Sequence, residues 1–106
     1  MKRKQYRIIY RIVFHKELSS IVNYILYVLH NRSAARRIYK NVISAIEKRA
    51  VTLPSAYEIL RNEMLTKEYY RIYINNYVVY YSLEEDTMLV EHIVYSKQNA
   101  LEFLDI

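Results

Sequence analysis

Residues 69–95 read YYRIYINNYVVYYSLEEDTMLVEHIVY, and the fold follows from this stretch. Tyr69–Ile74 places Tyr70, Ile72 and Ile74 on one face of a strand and Tyr69, Arg71 and Tyr73 on the other, a period of two. Asn75-Asn76 is a two-residue hairpin signal, because Asn tolerates positive φ better than other residues with a Cβ. A second strand, Tyr77–Leu83, follows it. Glu84-Glu85-Asp86 is a second tight turn and Met88–Tyr95 a third strand. The result is an antiparallel meander, and one face of it needs a cover.

The cover lies upstream. Tyr6–Phe14 alternates and is rich in β-branched residues, so it reads as a strand. Glu17–Leu29 switches to helical spacing, with Leu18, Ile21, Val22, Ile25, Val28 and Leu29 in one apolar stripe. His30-Asn31-Arg32 is a connector, and Ser33 is the expected N-cap of a second helix running to about Thr52. That helix is expected to bury Ala35, Ile38, Tyr39, Val42, Ala45 and Ile46, with Arg36, Arg37, Lys40, Lys48 and Arg49 off the stripe. Helices joined so tightly pack as an antiparallel hairpin. Pro54 ends the second helix, Glu58–Met64 is the place for one more strand, and Gln98–Ile106 reads as a short C-terminal helix.

The expected fold is therefore α+β and a single domain over residues 1–106. An N-terminal strand and an antiparallel helical hairpin pack on a three- to four-stranded antiparallel sheet, with a short helix at the C-terminus. One sheet face faces the helices. The other is expected to stay open and to carry Tyr69, Arg71, Tyr73, Val78 and Tyr80.

Composition narrows the function. No apolar run is long enough to span a bilayer, and the N-terminus lacks the pattern of a secretory signal, so a cytoplasmic protein is expected. There is no Cys for disulfide or thiolate chemistry. The three histidines lack metal-ligand spacing, so neither a metal nor a cofactor is expected. His15 and His30 sit at helix ends, and His92 reads as a sheet residue beside Val90 and Val94 rather than as a general base. Charge is uneven. Residues 1–71 hold 15 of the 16 Lys/Arg against five acids, whereas residues 72–106 hold Lys97 against six. Such a bias attracts nucleic acid or an acidic protein.

The order of elements and several landmark residues resemble the RelE/ParE superfamily of toxins from bacterial type II toxin–antitoxin modules, also called plasmid stabilisation proteins. The resemblance runs from about Tyr6 to Leu104. It rests on Glu17-Leu18, Ile21-Val22 and Tyr24-Ile25 in the first helix, and on Asn31 and Ala34-Ala35 at the start of the second. Leu53-Pro54 closes that helix, and Tyr70-Arg71, Asn76-Tyr77 and Tyr80-Tyr81 form the hairpin. Ile93-Val94-Tyr95-Ser96-Lys97 falls where the family usually ends in His-Gly-Arg.

Departures from the family pattern bear on mechanism. The resemblance implies either a ParE-like toxin that binds DNA gyrase or a RelE-like enzyme that cuts mRNA on the ribosome. Cleavage by a 2′-hydroxyl needs a base, a proton donor for the leaving oxygen and cations on the phosphate. Val78 stands where the cleaving branch often has Arg, and Phe103 where some nucleases have Tyr. If the chain is an mRNA endoribonuclease, Arg71, Tyr73 and Lys97 are its catalytic candidates. Tyr69, Arg71, Tyr73, Tyr80, Tyr95 and Lys97 are the expected target-binding face, suited to stacking bases or a partner's apolar side chains. The resemblance also implies a cognate acidic antitoxin in a toxin–antitoxin hetero-oligomer, with the basic cluster Arg32, Arg36, Arg37 and Lys40 as its seat. A degenerate, non-toxic binding partner is a third reading.

Overall fold

A computed structural model describes residues 5–104; the basic Met1–Lys4 and the final two residues of the expected C-terminal helix lie outside the described residues. The elements are β1 (Arg7–Tyr10), α1 (Ile12–Asn23), a π-helical turn (Tyr24–Val28), α2 (Arg32–Val51), β2 (Ile59–Leu60), β3 (Tyr69–Ile74), β4 (Tyr77–Glu84) and β5 (Thr87–Tyr95). Single 3₁₀ turns at Pro54–Ala56 and Ala100–Glu102 join and follow them. The α+β class, the N-terminal strand and the helical pair stand as expected.

The sheet is larger than expected and mixed. Its five strands run in the order β1-β5-β4-β3-β2, and β1 is parallel to β5. The meander of β3, β4 and β5 is antiparallel, with Tyr70 opposite Tyr81 and Tyr77 opposite Tyr95. Asn75 (φ 54°) and Glu85 (φ 57°) make the two hairpin turns in a chain that has no Gly. The expected strand at Glu58–Met64 shrinks to Ile59–Leu60, paired with Tyr70 and Tyr69.

The first helix begins five residues earlier than its hydrophobic period suggested. Ile12-Val13-Phe14 carry β-branched residues that imitate a strand, yet Phe14 and Leu18, one turn apart, are both buried against the sheet. Helical geometry wins because it brings that pair onto one side. Asn31, rather than Ser33, caps α2, its Oδ1 accepting from the Ala34 N–H at 3.0 Å. Tyr39 is 51% exposed instead of buried, and Ala50 joins Ala35, Ile38, Val42 and Ile46 in the stripe. The expected C-terminal helix is one 3₁₀ turn, capped by the Asn99 side chain accepting from the Leu101 N–H.

One core fills the space between the helices and the sheet, around Phe14, Val42, Ile46, Val79, Tyr81, Met88 and Val90. Truncating Phe14 or Ile46 to Ala removes enough packed volume to cost roughly 2–5 kcal/mol. Arg49 locks α2 onto the sheet. Its guanidinium donates to the Tyr81 hydroxyl at 2.9 Å and the Arg71 carbonyl at 3.1 Å, and lies 3.5 Å above the Tyr57 ring. The Tyr81 hydroxyl in turn donates to the Pro54 carbonyl at 2.9 Å. Arg49, off the apolar stripe as expected, is thus held against the sheet by polar contacts.

A closed sheet face with a polar rim

The sheet face away from the helices is not open. Tyr69, Val78, Tyr80, Val94 and Leu104 form a second core, covered by Leu60, Leu65, Ala100 and Phe103. Phe103 meets the Tyr80 ring edge-on at 5.3 Å and the His92 ring at 5.1 Å. Tyr69 and Tyr80, expected on a free stacking surface, are 1% and 6% exposed. The covering residues lie in short β2, the loop after it and the C-terminal segment, and carry no period that would reveal them in the sequence.

Strand registry fixes the remaining candidates. Arg71, Tyr80 and His92 stand in one row across β3, β4 and β5, with Tyr73, Val78 and Val94 in the next. Arg71 is partly covered, with a 3.7 Å ion pair to Glu58. Tyr73, two residues along the same strand face, is 66% exposed. Tyr95 is opposite Tyr77, which packs on the first core, so Tyr95 belongs to the helix-side face rather than to the row of Arg71. Lys97 is exposed in the turn after β5. The Ser96 N–H donates to the Asn76 carbonyl at 2.8 Å, which holds that turn at the same end of the sheet as Tyr73. Of the six face residues, Arg71, Tyr73 and Lys97 remain as a polar rim.

The chemistry beside Arg71 is restricted. Burial pushes the Tyr80 phenol above its ordinary value, although the charge of Arg71 pulls it down. That phenol stays protonated at neutral pH. The His92 Nδ1 lies 3.2 Å from both carboxylate oxygens of Glu17, and Oε1 also accepts from the Ile93 N–H at 3.1 Å. A carboxylate only accepts, so Nδ1 carries the proton. Glu17 reaches this edge of β5 because β1 ends at Tyr10, three residues short of the partner Ile93 would need. No periodic signal in the sequence pairs residues this far apart.

A bulge in β5 creates a second polar cluster that sequence reasoning missed. Tyr80 pairs with His92 but Tyr81 with Val90, so Glu91 is the extra residue. Its buried carboxylate accepts from the Ser82 hydroxyl at 2.5 Å and pairs with Lys67 Nζ at 2.7 Å. Two of its donors are charged or hydroxylic, which is how a buried carboxylate is tolerated. Among the described residues no three His, Cys, Asp or Glu side chains gather to hold a metal ion, and no helix is long and apolar enough to cross a membrane.

The basic helix cluster divides. Arg32 and Arg36 border a groove of about 400 Å³ floored by Val22, Leu26 and Ala35, with Tyr39 beside it. Arg37 instead faces a smaller cleft shared with Tyr24, Asn75 and Asn76. Lys40 is exposed and lies one turn beyond Arg36.

The sequence profile of a family described as "ParE toxin of type II toxin-antitoxin system, parDE" matches residues 14–100. No curated protein matches the chain. Among solved structures, a toxin–antitoxin structure described as the chromosomal ParDE system from P. aeruginosa superposes with a TM-score of 0.71 at 8% identity, covering 91% of this chain and 100% of that one. YafQ from E. coli strain BL21(DE3) gives 0.52 at 17%, covering 93% and 99%. A RelB–RelE antitoxin–toxin complex from Methanococcus jannaschii gives 0.50 at 19%, covering 90% and 98%. At these identities the structural likeness concerns the fold alone.

Proposed function

This chain belongs to the ParE toxin family of type II toxin–antitoxin systems, and on that premise we propose that it arrests growth by binding a macromolecular target in the cytoplasm, with DNA gyrase first among them. Its antitoxin neutralises it. The observation that carries the binding reading is the closed sheet face. Tyr69 and Tyr80 are enclosed, so neither ring is offered for stacking on a base. The Glu58 carboxylate engages Arg71 at 3.7 Å, and the Tyr80 phenol in its row is enclosed and stays protonated, which favours a binding role over RNA cleavage. What Arg71, Tyr73 and Lys97 do offer is two cations and an exposed ring, suited to holding a partner.

The antitoxin reading draws on the groove between the helices. An acidic amphipathic helix fits an apolar floor with Arg32 and Arg36 on its border and Lys40 a turn further on. Supercoiling by purified gyrase, titrated with this protein, tests the target. Inhibition relieved by the antitoxin supports it. Unaffected gyrase together with cuts in ribosome-bound mRNA that vanish in Arg71→Ala replaces it with the endonuclease reading.

A further inference from the structure

The apolar stripe of α1 runs on into the π-helical turn, and there it leaves the core. Leu18 is buried and Ile21, Val22 and Ile25 pack against the main core, whereas Tyr24, Val28 and Leu29 are 55%, 59% and 55% exposed. The Leu29 N–H closes the wide turn on the Tyr24 carbonyl at 3.1 Å, and the Asn31 N–H bonds to the Ile25 carbonyl at 3.0 Å, with His30 between them at φ 53°. Val28 and Leu29, expected in the buried stripe, thus face solvent at the tip of the helical hairpin. An apolar residue exposed singly is ordinary, but a group of neighbours marks a contact surface.

The tip stands beside the turn between β3 and β4. A cleft of about 280 Å³ separates them, walled by Tyr24, Leu29, Arg37, Asn75, Asn76 and Tyr77. Tyr95 meets the Tyr77 ring edge-on at 6.3 Å and is itself half exposed, so the tyrosine displaced from the row of Arg71 arrives at this end of the molecule. The turn that carries Lys97 is tied here too, by the Ser96 N–H on the Asn76 carbonyl. The segments that build this end, residues 18–46, 69–83 and 92–101, contain no Asp or Glu. An acid-free surface bearing Arg37 and Lys97 selects an acidic partner. A second copy of this chain would bring those cations against themselves. A phosphate backbone offers nothing to Val28 and Leu29, and a bilayer has no side chain to fill the cleft.

We infer that the hairpin tip and the β3–β4 turn together dock on an acidic surface of the protein target. An apolar side chain of the target fills the cleft between Tyr24 and Tyr77, and a carboxylate beside it meets Arg37. Exposed tyrosines and an Arg around a pocket are the residue types on which interface centres depend. This contact rests on the target-binding reading and extends it. Lys97 belongs both to the polar rim and to this end, so the target reaches around the end of the sheet from Tyr73 to Tyr24. The helical groove at Arg32 and Arg36 is a separate place.

Supercoiling by purified gyrase, titrated with this protein and its variants, tests the docking end, with antitoxin affinity and urea unfolding measured on the same preparations. Tyr24→Glu/Val28→Glu changes two residues that face solvent and is expected to raise the concentration for half-inhibition about tenfold or more. Arg37→Glu is expected to do the same, and both variants keep antitoxin affinity within about twofold. Should the double variant unfold, Arg37→Glu and Tyr95→Ala, on separate elements, carry the test. Undiminished inhibition by the folded variants overturns the docking end and leaves the target reading intact. Gyrase unaffected by the wild type defeats the target reading, and the docking end with it. Three other results also overturn the inference. Antitoxin affinity lost in place of inhibition assigns the surface to the antitoxin. A dimer mass abolished by the variants assigns it to a second copy. Binding to phosphatidylserine vesicles that the variants abolish, with gyrase inhibition unchanged, assigns it to a membrane.

Discussion

Glu17 of the first helix and His92 of the last strand stand 3.2 Å apart, and the same carboxylate caps the Ile93 N–H where β1 no longer reaches. One side chain thus ties α1 to the sheet and takes up the only histidine of the strands. Glu17→Ala leaves a strand N–H and a ring N–H without their acceptor, at a cost of about 1–3 kcal/mol. Glu17→Gln keeps an acceptor oxygen and is expected to lose less. Urea unfolding of the two variants measures the difference; equal losses would contradict the capping role.

Tyr81 is the polar group most deeply set in the main core. Tyr81→Phe strands the Arg49 guanidinium and the Pro54 carbonyl beneath the helix. The expected loss is about 1–3 kcal/mol, read by thermal or urea unfolding with near-native packing of the Tyr70 ring, which stacks on it at 5.1 Å.

Burial pushes the Tyr81 phenol up to about 12. The unfolded chain releases that proton near pH 10 and the folded protein holds it, so the folded state binds more protons between those values. Stability from this group is complete below pH 10 and falls as pH rises toward about 12, by up to about 1.4 kcal/mol per pH unit. Ultraviolet titration of tyrosinate should show a late step that is missing in Tyr81→Phe.

Leu53 sits at φ 61°, in a region that suits Gly rather than a branched side chain, and its side chain is exposed. Leu53→Gly is expected to hold stability or raise it by up to about 1 kcal/mol, against the usual cost of adding Gly. A loss above 1 kcal/mol in urea unfolding means that Leu53 packs more than its position suggests.

Much of this architecture is legible in the chain. Strands β3, β4 and β5 were placed to within a residue because Asn75-Asn76 and Glu84-Glu85-Asp86 interrupt a clear period of two. The helical hairpin followed from its apolar stripes. What the chain conceals is long-range. The parallel seat of β1 depends on β5, far away in sequence, and Ile12-Val13-Phe14 imitate a strand locally. The lid over Tyr69 and Tyr80 comes from Leu60 and Leu65, before β3, and from Ala100 and Phe103, after β5, with no common period. Side-chain pairs such as Glu17 with His92, or Glu91 with Ser82, leave no periodic trace. For that reason the fold and family were readable while the six-residue face reduced to Arg71, Tyr73 and Lys97.

The most direct measurement is growth of a bacterial host after induction of the wild-type chain, of Arg71→Ala/Lys97→Ala, and of the wild type with its antitoxin. The expected result is arrest by the wild type, relief by the antitoxin, and weakened arrest by the double variant, which still folds and still binds the antitoxin. Unimpeded growth with folded wild-type protein accumulating would contradict it.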